Sequence, residues 1–162
     1  MQLAEFNQAD PAAARELLGA CLDIGEWVDE VLVGRPFPNL ASLQALAGAA
    51  ASRITWPQVA GALARHPRIG ERPQGAGRDA RWSGSEQAGV RQDDADDLAT
   101  GNAAYEARFG YIFLICATGL SGDQMLAELR RRLGHDPLAE QAVVIGELRK
   151  IAALRLAKAV TA

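Results

Sequence analysis

Tyr111-Ile112-Phe113-Leu114-Ile115-Cys116-Ala117, closed by Thr118-Gly119, is the one stretch of this chain that reads as a strand. It is short, β-prone and continuously apolar, a pattern that periodicity alone does not separate from a buried helical segment. No convincing run of alternating strands appears elsewhere, so the segment stays ambiguous in type and is expected to be buried. Outward from it the chain repeats helix-start chemistry followed by apolar positions three and four apart. Towards the C-terminus this predicts helices over roughly Ser121 to Leu133 and Pro137 to Val160. Towards the N-terminus it predicts them over Ser85 to Phe109, Pro57 to Arg65, Asn39 to Arg53 and Gly25 to Val33. A first helix starts at Asp10-Pro11, ahead of Leu17, Leu18 and Cys21. The Pro, Gly and Arg content between Arg72 and Trp82 predicts a loop. The expected fold is an all-α, single-domain bundle of about seven to eight helices over residues 1–162.

With 162 residues, 49% of them hydrophobic, the chain can bury a core without disulfide or metal staples. A net charge of −3 and a pI near 5.4 exclude the basic footprint of a general nucleic-acid binder and point to small-molecule partners. Cys21 and Cys116 have no paired or metal-type spacing and read as reduced core thiols. No basic leader precedes an apolar run, and no apolar stretch reaches the about 18 residues that span a bilayer. A cytoplasmic protein without membrane attachment is expected. Charge is uneven: Arg65 to Arg81 carries five arginines against Glu71 and Asp79, which makes that loop either an anion attractor or a solvated surface.

Chemistry concentrates where helices break. In His66-Pro67-Arg68-Ile69-Gly70-Glu71 the proline biases His66 away from helical dihedrals, so its imidazole projects from a turn. Imidazole titrates near neutral pH, which suits proton transfer, but a histidine also suits the dipole at a helix C-terminus. Trp82-Ser83-Gly84-Ser85-Glu86-Gln87-Ala88-Gly89 follows the arginine-rich loop. Ser83 with Glu86 three residues later fits a capping box, which by itself explains the carboxylate. A glutamate beside an imidazole would equally orient it or raise its pKa.

The last predicted helix carries an anomaly. Val144, Ile145, Leu148, Ile151, Ala152 and Ala159 form one stripe, and Arg155 falls in its middle, whereas Glu147, Arg149, Lys150 and Lys158 lie on other faces. A buried guanidinium requires a structural carboxylate or an anionic ligand, and its planar fork suits a carboxylate. His135, before Asp136-Pro137, reads as a turn residue. With two histidines and no histidine pair at helical spacing, a zinc or di-iron site lacks ligands, so no metal is expected. Gly75 to Gly77 lacks the lysine and hydroxyl residue of a phosphate loop.

Taken together, the segments His66 to Glu71 and Trp82-Ser83-x-x-Glu86-Gln87-Ala88-Gly89, with Asn102-x-x-Tyr105-x-x-x-Phe109-Gly110 and Glu147-Leu148-x-Lys150-Ile151-x-x-Leu154-Arg155-Leu156, closely resemble the OHCU decarboxylases. OHCU is 2-oxo-4-hydroxy-4-carboxy-5-ureidoimidazoline, and the resemblance runs in order from about Asn7 to Leu156. It implies an all-α, cofactor-independent enzyme of urate breakdown, a homodimer that yields (S)-allantoin from an anionic ureidoimidazoline. The family's catalytic histidine matches His66, its catalytic glutamate Glu86 and its ligand-binding arginine Arg155. Its substrate-binding segments match Pro67, Ser83, Gly84, Ser85, Glu86 and Gln87, and approximately Phe113, Leu114, Ile115, Cys116 and Ala117. The competing expectations are a non-catalytic helical module that binds a ureide or purine-derived ligand, and hydrolysis of a related cyclic ureide.

Overall fold

The computed structural model describes residues 1–64, 66–71, 78–89 and 94–162, with the backbone alone at positions 78–80 and 83. Among these, nine α-helices and one isolated parallel bridge, Gln2 with Thr161, make up the regular structure. The helices are α1 (Leu3–Gln8), α2 (Pro11–Cys21), α3 (Gly25–Val33), α4 (Leu40–Ala51), α5 (Trp56–Leu63), α6 (Arg78–Glu86), α7 (Ala95–Phe109), α8 (Gly122–Arg132) and α9 (Pro137–Ala159). The chain forms two compact units, one from Met1–Ala62 with Arg149–Ala162 and one from Leu63–Leu148. The expected all-α class holds.

In the first unit, α2 starts as its sequence predicts: Asp10 accepts the Ala12 N–H at 2.8 Å and Pro11 occupies the first turn. Helix α3 packs on both α2 and α4, and the Trp27 indole N–H donates to the Ala47 carbonyl at 2.9 Å. Helix α1 has no counterpart in the sequence reading, because six residues are too few to hold a helix by propensity. Tertiary contacts hold it instead. Phe6 is completely buried, and the Arg35 guanidinium donates to the Phe6 and Ala9 carbonyls at 2.9 and 3.0 Å. Asn7 exchanges two 2.9 Å hydrogen bonds with the Phe37 main chain.

The second unit is built on α7 and α8, with Ile69, Leu98, Tyr105, Phe113, Ile115, Met125 and Leu129 in its core. Helix α7 stops at Gly110, whose φ of +79° is left-handed and whose N–H donates to the Glu106 carbonyl at 2.8 Å. A reciprocal capping box between Ser121 and Gln124 starts α8. The Tyr111 to Ala117 segment is neither helix nor strand; Phe113, Leu114, Ile115 and Ala117 are buried, as expected.

Three expectations are corrected here. The helix predicted over Ser85 to Phe109 is two helices, α6 and α7, and α6 begins at Arg78, inside the stretch read as loop. Ser83 therefore lies within α6, and the proposed Ser83–Glu86 capping box does not start a helix; Glu86 is instead the last residue of α6. Helix α5 ends at Leu63, three residues before His66, because the chain already turns ahead of Pro67: the His66 N–H donates to the Leu63 carbonyl at 3.0 Å. The readings that rest on Arg65, Arg72 and Gly75 to Gly77 lie outside the described residues, as do those on the Arg78 and Ser83 side chains.

Gly89 closes the turn after α6 against the start of α8. Its carbonyl accepts the Gly122 N–H at 3.0 Å, and a Cβ at position 89 would lie 2.0 Å from the Leu120 carbonyl oxygen. Gly89→Ala must therefore push backbone from backbone. It is expected to cost about 1–3 kcal/mol, read as a lower urea midpoint at unchanged slope.

Candidate active site

His66 and Pro67, both half-buried, lead into a turn whose shape rests on Gly70, where φ is +89° and a side chain would be strained. Helix α7 holds this turn from below. Asn102, buried to 3% exposure, donates from Nδ2 to the Ile69 carbonyl at 2.8 Å. Arg68 makes a bidentate pair with Glu106, at 2.5 Å from Nε to Oε1 and 2.8 Å from Nη2 to Oε2, with Glu71 at 3.7 Å from Nη1. Arg68, one of the five arginines of the stretch read as either an anion attractor or a solvated surface, thus faces two carboxylates, and the Glu106 hydrogen bond and charge raise its already high pKa.

The end of α6 meets the same turn. The Gln87 carboxamide accepts the Gly70 N–H at 2.9 Å and its NH2 approaches the Arg68 carbonyl at 3.5 Å. Glu86, half-buried, is the neighbour of this clamp. A carboxylate in the last turn of a helix faces the negative end of the dipole, a position that stability does not favour. Ser85 donates its hydroxyl to the Trp82 carbonyl at 2.9 Å, and Gly84 and Ser85 are exposed. Gln87 retains a second amide hydrogen and a second lone pair for a ligand.

Pairing with Arg68 lowers the Glu106 pKa below the usual carboxylate value. The folded state then binds fewer protons than the unfolded one, so this pair's contribution is fully present above the ordinary carboxylate pKa and is lost as pH falls through the lower folded one. Replacing Glu106 with Gln is expected to flatten the acid limb of the melting temperature against pH below about 4.5. A limb of unchanged steepness would show that the pair does not set it. Beside the turn lies a cavity of about 390 Å³, lined by Arg68, Gly70, Glu71, Asn102 and Glu106 among others.

The Phe113 to Ala117 segment is held from two sides. Arg132 donates to the Leu114 carbonyl at 2.8 Å, and Glu147 accepts the Cys116 N–H at 2.8 Å. Arg132 and Glu140 are both 0% exposed and form a buried ion pair at 2.6 Å. The Tyr105 hydroxyl donates to Glu140, and His135 Nδ1 lies 2.7 Å from the other carboxylate oxygen. Burial, then the hydrogen bond to Glu140, push the Tyr105 pKa far up, so the hydroxyl stays protonated as a donor. The Arg132 guanidinium also lies 4.5 Å from the Phe113 ring centre.

This network is absent from the sequence reading, although its signal is there. Gly122, Met125, Leu126, Leu129 and Arg132 bury one face of α8, and Glu140 stands four residues before buried Val144 on α9. The stripe argument applied to Arg155 finds both residues. Arg155 itself is buried to 4% exposure, as the stripe predicts, with one guanidinium nitrogen 3.4 Å from the Ala20 carbonyl. It belongs to the unit of Met1–Ala62 and Arg149–Ala162, whereas His66, Glu86, Gln87 and Phe113 to Ala117 belong to the other.

Fold and site together define a small all-α protein that carries a histidine turn braced by a helix end, and known proteins share its fold. A family model described as OHCU decarboxylase matches residues 7–157. The chain is 36% identical over 128 residues to the 2-oxo-4-hydroxy-4-carboxy-5-ureidoimidazoline decarboxylase of Amia calva, covering 76% of this chain and 73% of that one. It is 37% identical over 103 residues to the uric acid degradation bifunctional protein TTL of Arabidopsis thaliana, covering 60% of this chain and 32% of that longer one. A crystal structure of OHCU decarboxylase in the presence of (S)-allantoin superposes with a TM-score of 0.75 at 25% identity, over 88% of this chain and 96% of that one. The chain belongs to the OHCU decarboxylase family and is a decarboxylase.

Proposed function

We propose that the chain decarboxylates OHCU stereoselectively to (S)-allantoin in urate breakdown, without a cofactor. The observation that carries this reading is the Gln87 clamp: the residue next to Glu86 is hydrogen-bonded to the turn that His66 and Pro67 enter, so imidazole and carboxylate are supported by one local structure. Loss of CO2 leaves the bonding pair on the ring carbon, and the enolate-like state must be held more tightly than the starting carboxylate. One proton must then reach one face. His66 handles that proton, either taking it from the 4-hydroxyl or delivering it to carbon. Glu86 orients the imidazole and the ureido group, and Pro67 with Ser83, Gly84, Ser85 and Gln87 shapes the binding surface. Arg155 receives anionic substrate oxygens, and the Phe113 to Ala117 backbone contacts the ring.

The reading extends to a homodimer in the cytoplasm, supported by the resemblance for assembly and, for compartment, by two cysteines that lack paired or metal-type spacing. Freshly generated OHCU mixed with the protein should release one CO2 per allantoin formed, faster than the protein-free control. A product one water heavier with no CO2 would instead mark a hydrolase, and binding without either would mark the non-catalytic module.

A further inference from the structure

We propose that Glu147 and Arg132 are positioning residues for the substrate-binding backbone: together they clamp the Leu114 to Cys116 peptide run, Glu147 through the Cys116 N–H and Arg132 through the Leu114 carbonyl. This rests on the proposed function, which puts substrate against that run. A non-helical segment outside any sheet has no ladder to set where its peptide groups point. Here side chains from two helices do so, one from α8 and one from α9, at 2.8 Å each. The two ties flank Ile115, whose side chain is buried in the core, so its two peptide planes are fixed at both ends. Arg132 is in turn immobilised by Glu140 and Tyr105, which makes the Leu114 anchor rigid. Neither Glu147 nor Arg132 has to touch substrate for the ring to lose its seat when either bond is lost.

Glu147 is the testable half, because it is only half-buried while Arg132 supports the core. Glu147→Gln keeps a carbonyl oxygen of the same reach for the Cys116 N–H. Glu147→Asp keeps the charge but withdraws the acceptor by one methylene, and Glu147→Leu removes it. The clamp predicts a KM for OHCU about tenfold higher in the Asp and Leu variants, the loss expected for one hydrogen bond to a charged group. The kcat should stay within about threefold and the Gln variant should return KM to near the parent value, since uniform binding is what is lost. A merely structural glutamate would lower the melting temperature of the Leu and Asp variants and leave KM alone. If the Glu147→Leu chain fails to fold, the Asp and Gln pair decides. An active parent with unchanged KM in the Asp variant would overturn the clamp and leave the decarboxylase reading intact. A parent that does not turn over OHCU would overturn both.

Discussion

His66→Ala should abolish stereoselective turnover in a chain that still folds. Removal of a positioned general acid or base costs about 10²–10⁴-fold in rate, and here the remaining turnover should approach spontaneous decay. The imidazole is half-buried at a turn whose shape is set by other groups: Gly70 at φ +89°, the Asn102 bond to the Ile69 carbonyl and the Gln87 clamp. Its loss should therefore cost about 0.5 kcal/mol, as is typical of changes away from core features, or roughly 2 °C in melting temperature. Near-parental rates would remove His66 from the mechanism. A large fall in melting temperature together with lost activity would assign it to the scaffold.

The largest stability effect should come from the buried pair. Arg132→Met takes the guanidinium from the fully buried Glu140 carboxylate and leaves it the Tyr105 hydroxyl and the His135 ring, and removal of one partner of such a pair costs about 3–5 kcal/mol. For a chain of this length that is on the order of 10 °C in melting temperature. The same substitution removes the Leu114 anchor and the contact over Phe113. Combining Arg132→Met with Glu140→Leu should cost less than the sum of the two single changes, since no lone charge remains. Strict additivity in that cycle would mean that the two side chains act independently, against the 2.6 Å contact between them.

What can be read from the sequence follows what is encoded locally. Asp10-Pro11, the Ser121–Gln124 box and Asp136-Pro137 mark helix starts through neighbouring residues, and α2, α8 and α9 begin where they say. The boundaries of α3 coincide with the predicted Gly25 to Val33. Helix α1 carries a local mark too, Glu5 accepting the Gln2 N–H at 2.9 Å, but six residues need more than a cap, and its further support comes from Asn7 within the helix and from Arg35 and Phe37, some thirty residues on. Helix α6 is hidden because Gly84, Ser83, Ser85 and four charged residues dilute its apolar pattern, so its sequence looks like the loop before it. The same dilution makes Glu86 look like part of a helix start when it ends one.

At the site, the turn position of His66 and the inward position of Arg155 follow from Pro67 and from the α9 stripe. The roles of Arg68 and Gln87 do not, because a surface arginine and an arginine paired with a carboxylate 38 residues away look identical in sequence. Arg132 is hidden for a related reason: in the run Arg130-Arg131-Arg132 three successive charges point in three directions, and only the third is buried.

The central claim is that this chain delivers one enantiomer by means of His66, and circular dichroism during decay of freshly generated OHCU addresses it directly. Rapid growth of an (S)-allantoin signal with the parent chain, but not with His66→Ala or buffer alone, is the predicted result. Traces from the parent chain that match buffer alone would contradict it.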